Sequence, residues 1–338
     1  MFLIYDDIIK DLQSSGGITV YWDNLKRHID SSIKTESYNG NNSKKDRKYP
    51  LMIHRYLDFK NQLKVPHLFH SSYYRISKNP NSKNVVTVHD FVYEFFSSGL
   101  KKQIHVLQKK NAILNADRII CVSENTKKDL LKFYPQIDEK IIKVIYHGVS
   151  KDFYRNKSNK PISLKNQNKK NLIFIGKRDG YKNFQSLIDF LSEKNEYNLI
   201  LVGGGSLSTQ EKKELKQIRH DHYQNVSNAK LNSLYNNSFA LIYPSLYEGF
   251  GLPIIESLKA GCPVICNDGS STKEIGDHFV LKGKITVDFI KSSLKKLEVK
   301  AFRDKLIQKG EKYASNFTWE KTVKETLDLY EQLWKEFQ

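Results

Sequence analysis

The sequence predicts an α/β protein built from two doubly wound parallel sheets. Three observations carry this. Short Val/Ile-rich runs alternate with helically spaced segments through the first half. Residues 155–170 (RNKSNKPISLKNQNKK) break the pattern with one proline, four asparagines and six Lys/Arg, and no acidic residue. The alternation then restarts. Buried strands alternating with helices form parallel sheets covered on both faces. The polar break reads as a linker between domains.

In order, Phe2–Tyr5 is the first apolar run, stopped by Asp6 and Asp7. Residues 39–48 (NGNNSKKDRK) are polar and breaker-rich, hence a surface loop. Strands follow at 65–69, 84–88, 118–122 and 142–146, with helical spacing in Leu100, Ile104 and Leu107 between them. Beyond the linker, Leu172–Ile175, Leu199–Val202, Ala240–Tyr243 and Val264–Cys266 read as strands, each followed by a helix. Residues 277–289 (DHFVLKGKITVDF) carry no usable pattern. The last 40 residues are helical, with apolar faces from Trp319, Leu327, Leu329, Tyr330, Leu333 and Trp334. This places one domain at 1–155 and a second at 171–318. Two Rossmann-like sheets facing a cleft would suit a two-substrate transfer, since ligands sit beyond the carboxyl ends of such strands.

Composition bounds the function. The 338 residues are 39% hydrophobic and 27% charged, which is ordinary for globular chains and argues against disorder throughout. Three cysteines, two of them spaced C-x3-C at Cys262 and Cys266, indicate neither a disulfide scaffold nor a zinc site. The N-terminal run is too short and too acidic for a signal peptide, and no apolar run approaches a membrane span. A cytoplasmic location is expected. The net charge of +18 speaks to partners and solubility rather than fold.

The densest motif is Tyr243–Glu256, YPSLYEGFGLPIIE. A strand ends, a turn carries Gly249 and Gly251, and Pro253 suits the first turn of a helix. Such a turn lets backbone approach an anion at the helix N-terminus. Glu248 and Glu256 would repel phosphate but accept hydrogen bonds from hydroxyls. Phosphate flanked by two sugars, as in a nucleotide-sugar, needs that mixture. Helix capping would explain one glutamate, though not the Gly-Phe-Gly turn with it.

Gly176–Asn183, GKRDGYKN, follows the strand LIFI. Arg178 and Lys182 there would neutralise a diphosphate leaving group without metal. A solvated basic turn is the plainer alternative. Ser15-Gly16-Gly17-Ile18 is a glycine turn short of a full dinucleotide fingerprint, read as a tight turn or a phosphate nest. His89, with Asp90, ends the strand VVTV where a cleft would lie. Glycosidase chemistry would use two carboxylates but not the phosphate-type loops.

With these blocks in order, the chain resembles the retaining glycosyltransferases of family 4, which have the GT-B architecture. Residues 248–256 resemble that family's E-x7-E signature, running on into AGCPVI at 260–265. ADRIICVSENTKKDL at 116–130, VIYHGV at 144–149 and FTWEKT at 317–322 resemble its domain ends, which makes 319–338 a helix crossing back to the first domain.

The resemblance implies an acceptor side in the first domain and a donor side in the second. Glu256 would bind donor ribose hydroxyls, and Glu248 with the backbone of Gly249, Phe250, Gly251 and Leu252 would hold the transferred sugar. Arg178 and Lys182 would stabilise the diphosphate. Gly17 would reach the distal phosphate and His89 the sugar. It also implies retention of configuration, no metal or other cofactor, and a GDP- or UDP-linked sugar, with mannose the first expectation. Thr19–Trp22, where relatives often carry a basic residue, and the loose Gly203–Gly205 turn depart from the pattern. A role in cell-surface polysaccharide synthesis is expected, with a glycan or lipid-linked acceptor. The alternatives are a non-catalytic nucleotide- or carbohydrate-binding protein of the same fold and a basic nucleic-acid-binding protein. No nucleic-acid-reading module is evident.

The segment 99–111 sets Lys101, Lys102, Lys109 and Lys110 around an apolar stripe. The first expectation is a core-packed helix with a solvated basic face. The second is docking on an anionic membrane, which would place the protein peripherally on its inner face.

Overall fold

The computed structural model describes residues 1–13, 16–29, 33–38, 55–156, 170–193 and 196–338, and of Lys101 only the backbone. The 39–48 loop, Ser15 and most of the 155–170 linker lie outside the described residues. The chain divides into two compact units, Met1–Gly148 with Trp319–Gln338, and Val149–Thr318.

The first unit holds a six-stranded sheet: β1 (Phe2–Asp6), β2 (Lys34–Tyr38), β3 (His67–Ser71), β4 (Ser82–Val88), β5 (Arg118–Cys121) and β6 (Ile142–Val144). Their order is β2-β1-β3-β4-β5-β6, parallel throughout. The second unit has six more: β7 (Lys170–Ile175), β8 (Tyr197–Val202), β9 (His220–Tyr223), β10 (Ala240–Tyr243), β11 (Val264–Asn267) and β12 (Leu281–Gly283). Their order is β12-β11-β10-β7-β8-β9, also parallel. The second order is that of a dinucleotide-binding sheet, with its reversal between β7 and β10.

Central strands are apolar end to end, as strands covered on both faces must be; every residue of Tyr197–Val202 is buried. Leu172, Phe174, Leu199 and Leu201 of the second sheet pack with Phe184, Leu187, Phe190 and Leu191 of the helix Phe184–Glu193. In the first unit, Tyr21, Trp22 and Leu25 of the helix Gly17–Arg27 meet Leu3 and Tyr5 of β1. The C-terminal helix Trp319–Phe337 completes that core with Trp319, Val323, Tyr330 and Leu333.

Residues 149–155, assigned above to the first domain, pack within the second unit. Val149 N–H donates to the Phe317 carbonyl at 3.1 Å, Tyr154 N–H to Asn232 Oδ1 at 3.1 Å, and Phe153 packs edge-on against Tyr235. Lys259 Nζ donates to the carbonyls of Val149 and Ser150. The three cysteines are free and buried.

The helix Gly99–Leu114 packs Ala112 and Ile113 into the core, as a core-packed helix would, but differs from the expectation ahead of them. Lys109, assigned to a solvated face, is wholly buried, while Leu100 and Leu107 are 70% and 64% exposed. Lys109 Nζ donates to Glu94 Oε2 at 2.9 Å and to the Asp90 carbonyl at 2.8 Å, and it lies over the Phe91 ring. These partners satisfy the ammonium inside the unit.

Candidate functional site

The two loops at the reversal of the second sheet are tied together. The loop after β7 carries Lys182, and the loop after β10 carries Glu248. Their side chains form an ion pair at 2.5 Å, each about one-eighth exposed. Leu246 N–H donates to the Tyr181 carbonyl at 2.7 Å, so backbone also spans the two loops. Asn183 takes the left-handed conformation (φ 51°) that ends the short turn Gly180–Lys182, and asparagine tolerates this. The Tyr243 hydroxyl hydrogen-bonds Glu248, and Lys182 lies over the Tyr243 ring.

The glycine turn is braced from below. Ser271 Oγ donates to the carbonyls of Glu248 (2.8 Å) and Phe250 (2.9 Å), while Glu248 N–H donates to Ser270 Oγ at 3.0 Å. Phe250 is buried edge-on against Phe317. Gly251 caps the helix Leu252–Lys259 at φ 99°, a left-handed position that favours glycine. Five residues on from Gly251, Glu256 accepts from the Tyr235 hydroxyl at 3.0 Å.

Glu256 retains some open surface, yet the packed groups around it withdraw enough water to matter. Burial pushes its carboxyl up to about 7, with the Tyr235 bond pulling the other way. Burial likewise pushes Asp6 up to about 6, against the pull of Arg75. A carboxyl whose folded value is raised stabilises the fold fully below its ordinary range and loses that contribution as pH climbs through the raised value. Glu256→Gln is therefore expected to raise the melting temperature at pH 8 by on the order of 5 °C and to leave it unchanged near pH 4.5. Thermal melts across that range check this; a pH-independent difference would count against a neutral buried acid.

Arg178 does not face the Lys182–Glu248 pair. Its Nε donates to Glu211 at 2.5 Å, and its terminal nitrogens donate to the carbonyls of Gly203, Gly204, Gly205 and Ser206. The guanidinium is thus committed to the triple-glycine turn after β8, whose three glycines all have positive φ. A Cβ on Gly204 would sit 2.3 Å from Arg178 Nη1, so that glycine is required for the contact. Glu211, Tyr235, Ser270 and Ser271 were not singled out from sequence. For the serines, the small polar run after β11 is the available signal.

The first unit holds Gly17 and His89. Gly17 opens the helix Gly17–Arg27, and a side chain there would meet nothing within 4 Å among the described residues. His89 lies edge-on to Tyr21 at 5.2 Å and stacked on His147 at 5.8 Å. Burial pushes its imidazole down to about 4, so it is neutral near pH 7 and offers one donor and one acceptor. Among the described residues, no three metal-ligating side chains converge, and no helix is long and apolar enough to cross a membrane.

Known proteins extend the picture. Residues 16–153 match the family model described as Glycosyltransferase Family 4, and residues 155–317 that described as Glycosyl transferases group 1. O-antigen chain mannosyltransferase B of Escherichia coli is 30% identical over 175 residues, 48% of this chain and 45% of that protein. O-antigen chain mannosyltransferase RfbU of Salmonella typhimurium is 30% identical over 197 residues, 54% and 51% of the two chains. The chain thus aligns with about half the length of these curated relatives. Among solved structures, sucrose-phosphate synthase of Thermosynechococcus elongatus superposes with a TM-score of 0.76 at 16% identity, over 99% of this chain and 100% of that one. HepE of Anabaena, in complex with UDP and glucose, gives 0.72 at 15%, over 98% and 100%. Two parallel six-stranded sheets and two family matches that together span nearly the whole chain agree: the chain belongs to the GT-B glycosyltransferases of group 1 and family 4.

Proposed function

We propose that this chain is a retaining glycosyltransferase that moves a hexosyl group from a nucleoside-diphosphate sugar to a glycan or lipid-linked acceptor during cell-surface polysaccharide synthesis. The observation that carries the reading is the Lys182–Glu248 pair, with Glu256 eight residues on, at the reversal of the second sheet. That is the position where such sheets take nucleotide ligands. The second unit then serves the donor and the first the acceptor.

In this reading the sugar–phosphate bond breaks and the acceptor oxygen bonds C1 on the same face. The acceptor proton leaves with the departing phosphate. Lys182 keeps two of its three donors for the diphosphate while the third holds Glu248. Glu248 and the backbone from Gly249 to Leu252 hold the transferred sugar, and Glu256 accepts from the ribose. Gly17 offers backbone N–H to the distal phosphate, and neutral His89 a hydrogen bond to the sugar. Arg178, paired with Glu211, shapes the neighbouring glycine turn. Since Lys182 supplies positive charge, the reading is metal-independent. The mannosyltransferase relatives favour mannose from GDP-mannose, and the UDP complexes of HepE keep UDP sugars in view. A lipid-linked acceptor places the chain peripherally on the cytoplasmic face of a membrane.

A thermal-shift panel with UDP, GDP, ADP, dTDP and their sugar conjugates, with and without EDTA, tests this. A shift of several degrees from one base, insensitive to EDTA, is expected. No shift with any nucleotide would overturn the donor assignment and favour a non-catalytic chain.

A further inference from the structure

The helix Gly99–Leu114 buries Ala112 and Ile113 near its end but turns apolar residues outward along its first half. His105, Gln108 and Lys109 point into the first unit, where His105 stacks on Tyr93 at 3.8 Å and Gln108 donates to the Arg55 carbonyl. Leu100, Ile104 and Leu107, spaced to share one helical face, point out, and Leu114 follows two turns on. The short helix Val92–Phe96 adds exposed Phe95 and Phe96 beside them. Scattered single apolar residues need no explanation, but a strip of three consecutive apolar turns, Leu100, Ile104 and Leu107, facing outward while a lysine is buried behind it does.

The charge around this face selects the occupant. The helix carries no acidic residue, and its Lys110 is exposed. Lys128 and Lys132, one turn apart on the helix Glu124–Phe133, are exposed, and Lys132 Nζ lies 5.4 Å over the Phe95 ring. Glu94, the acidic residue of Val92–Phe96, is turned inward on Lys109. An apolar strip rimmed by lysines matches the boundary of an anionic bilayer, where side chains such as these insert and lysines meet headgroups.

We propose that the outward face of Gly99–Leu114, with Phe95 and Phe96, seats this chain in the headgroup region of an anionic membrane. This deepens, and rests on, the reading of a membrane-presented acceptor by naming the surface that meets the lipid.

Flotation of the whole chain with vesicles of phosphatidylcholine alone, or with added phosphatidylglycerol, tests it. Flotation is expected on the anionic vesicles only. The pair Leu100→Asp and Leu107→Asp should lower the floated fraction at least ~10-fold. The pair Lys128→Glu and Lys132→Glu should lower it most at low salt. Both pairs should keep the wild-type nucleotide thermal shift, since these side chains lie outside the donor site and are exposed. Equal flotation on neutral vesicles, no flotation, or flotation untouched by the aspartates would overturn the proposal. So would a dimer in light scattering that the aspartates dissolve while no vesicle binds, which would assign the face to a second copy. Failed flotation with the nucleotide shift intact would sink the docking surface alone. Intact flotation without any nucleotide response would instead sink the transferase reading.

Discussion

Lys182→Ala is expected to lower the rate of glycosyl transfer by about 10²–10³ with little change in the donor KM, as losing one preorganised charge contact does. Two effects act together. The diphosphate loses its cation as negative charge develops, which reduces kcat. Glu248, about one-eighth exposed, loses its ion-pair partner and keeps the Tyr243 hydroxyl as a side-chain donor. Glu248→Ala should fall in the same range, while Glu256→Ala should act mainly on donor affinity. Because Lys182 and Glu248 touch, the double variant should lose less than the product of the single losses. Steady-state kinetics on the three single variants and the double check this. Wild-type turnover in Lys182→Ala would remove the loop after β7 from the chemistry.

Lys109→Met is expected to destabilise the chain by about 3–5 kcal/mol, the usual result of leaving one member of a buried ion pair behind. Among the described residues Glu94 Oε1 already lacks a hydrogen-bond partner, so the loss of Lys109 strands the whole carboxylate. Adding Glu94→Leu should restore most of the loss, since an apolar pair of similar volume removes the burden of desolvation. Denaturant unfolding, followed by a probe in the first unit, measures both. A Lys109→Met variant as stable as wild type would mean the pair is not buried as described.

Much of the fold was legible because the central strands are covered on both faces and must therefore be apolar. Phe2–Tyr5, Leu199–Val202 and Ala240–Tyr243 announce themselves in this way. The strands that sequence reading passed over, Lys34–Tyr38 (KTESY), His220–Tyr223 (HDHY) and Leu281–Gly283 (LKG), all lie at sheet edges. An edge strand pairs on one side only and is partly open, so it needs neither an apolar run nor strict alternation.

The site was legible in proportion to how local it is. Lys182 and Glu248 stand in compact loops that follow apolar strands, and the glycines beside them mark tight backbone. Arg178 stands in the same kind of loop, yet its partners are the turn at 203–206 and Glu211, brought near by β8 pairing with β7. No spacing rule within the loop foretells that. The helix Gly99–Leu114 misled for a related reason: periodicity shows that it has two faces, and buried Glu94 and the half-buried Tyr93 ring decide which one turns inward.

The C-terminal helix has a consequence for the order of assembly. Trp319, Val323, Tyr330 and Leu333 complete a core begun by Leu3, Tyr5 and Trp22, with the entire second unit intervening along the chain. A ribosome making this protein releases Val149–Thr318 before the residues that finish the first unit, and loop closure over such a span is entropically costly unless the intervening segment is already compact. The second unit can therefore mature during synthesis, whereas the first must wait with Tyr21 and Trp22 lacking their cover. A nascent chain stalled before Trp319 would carry a finished second unit and an open first unit.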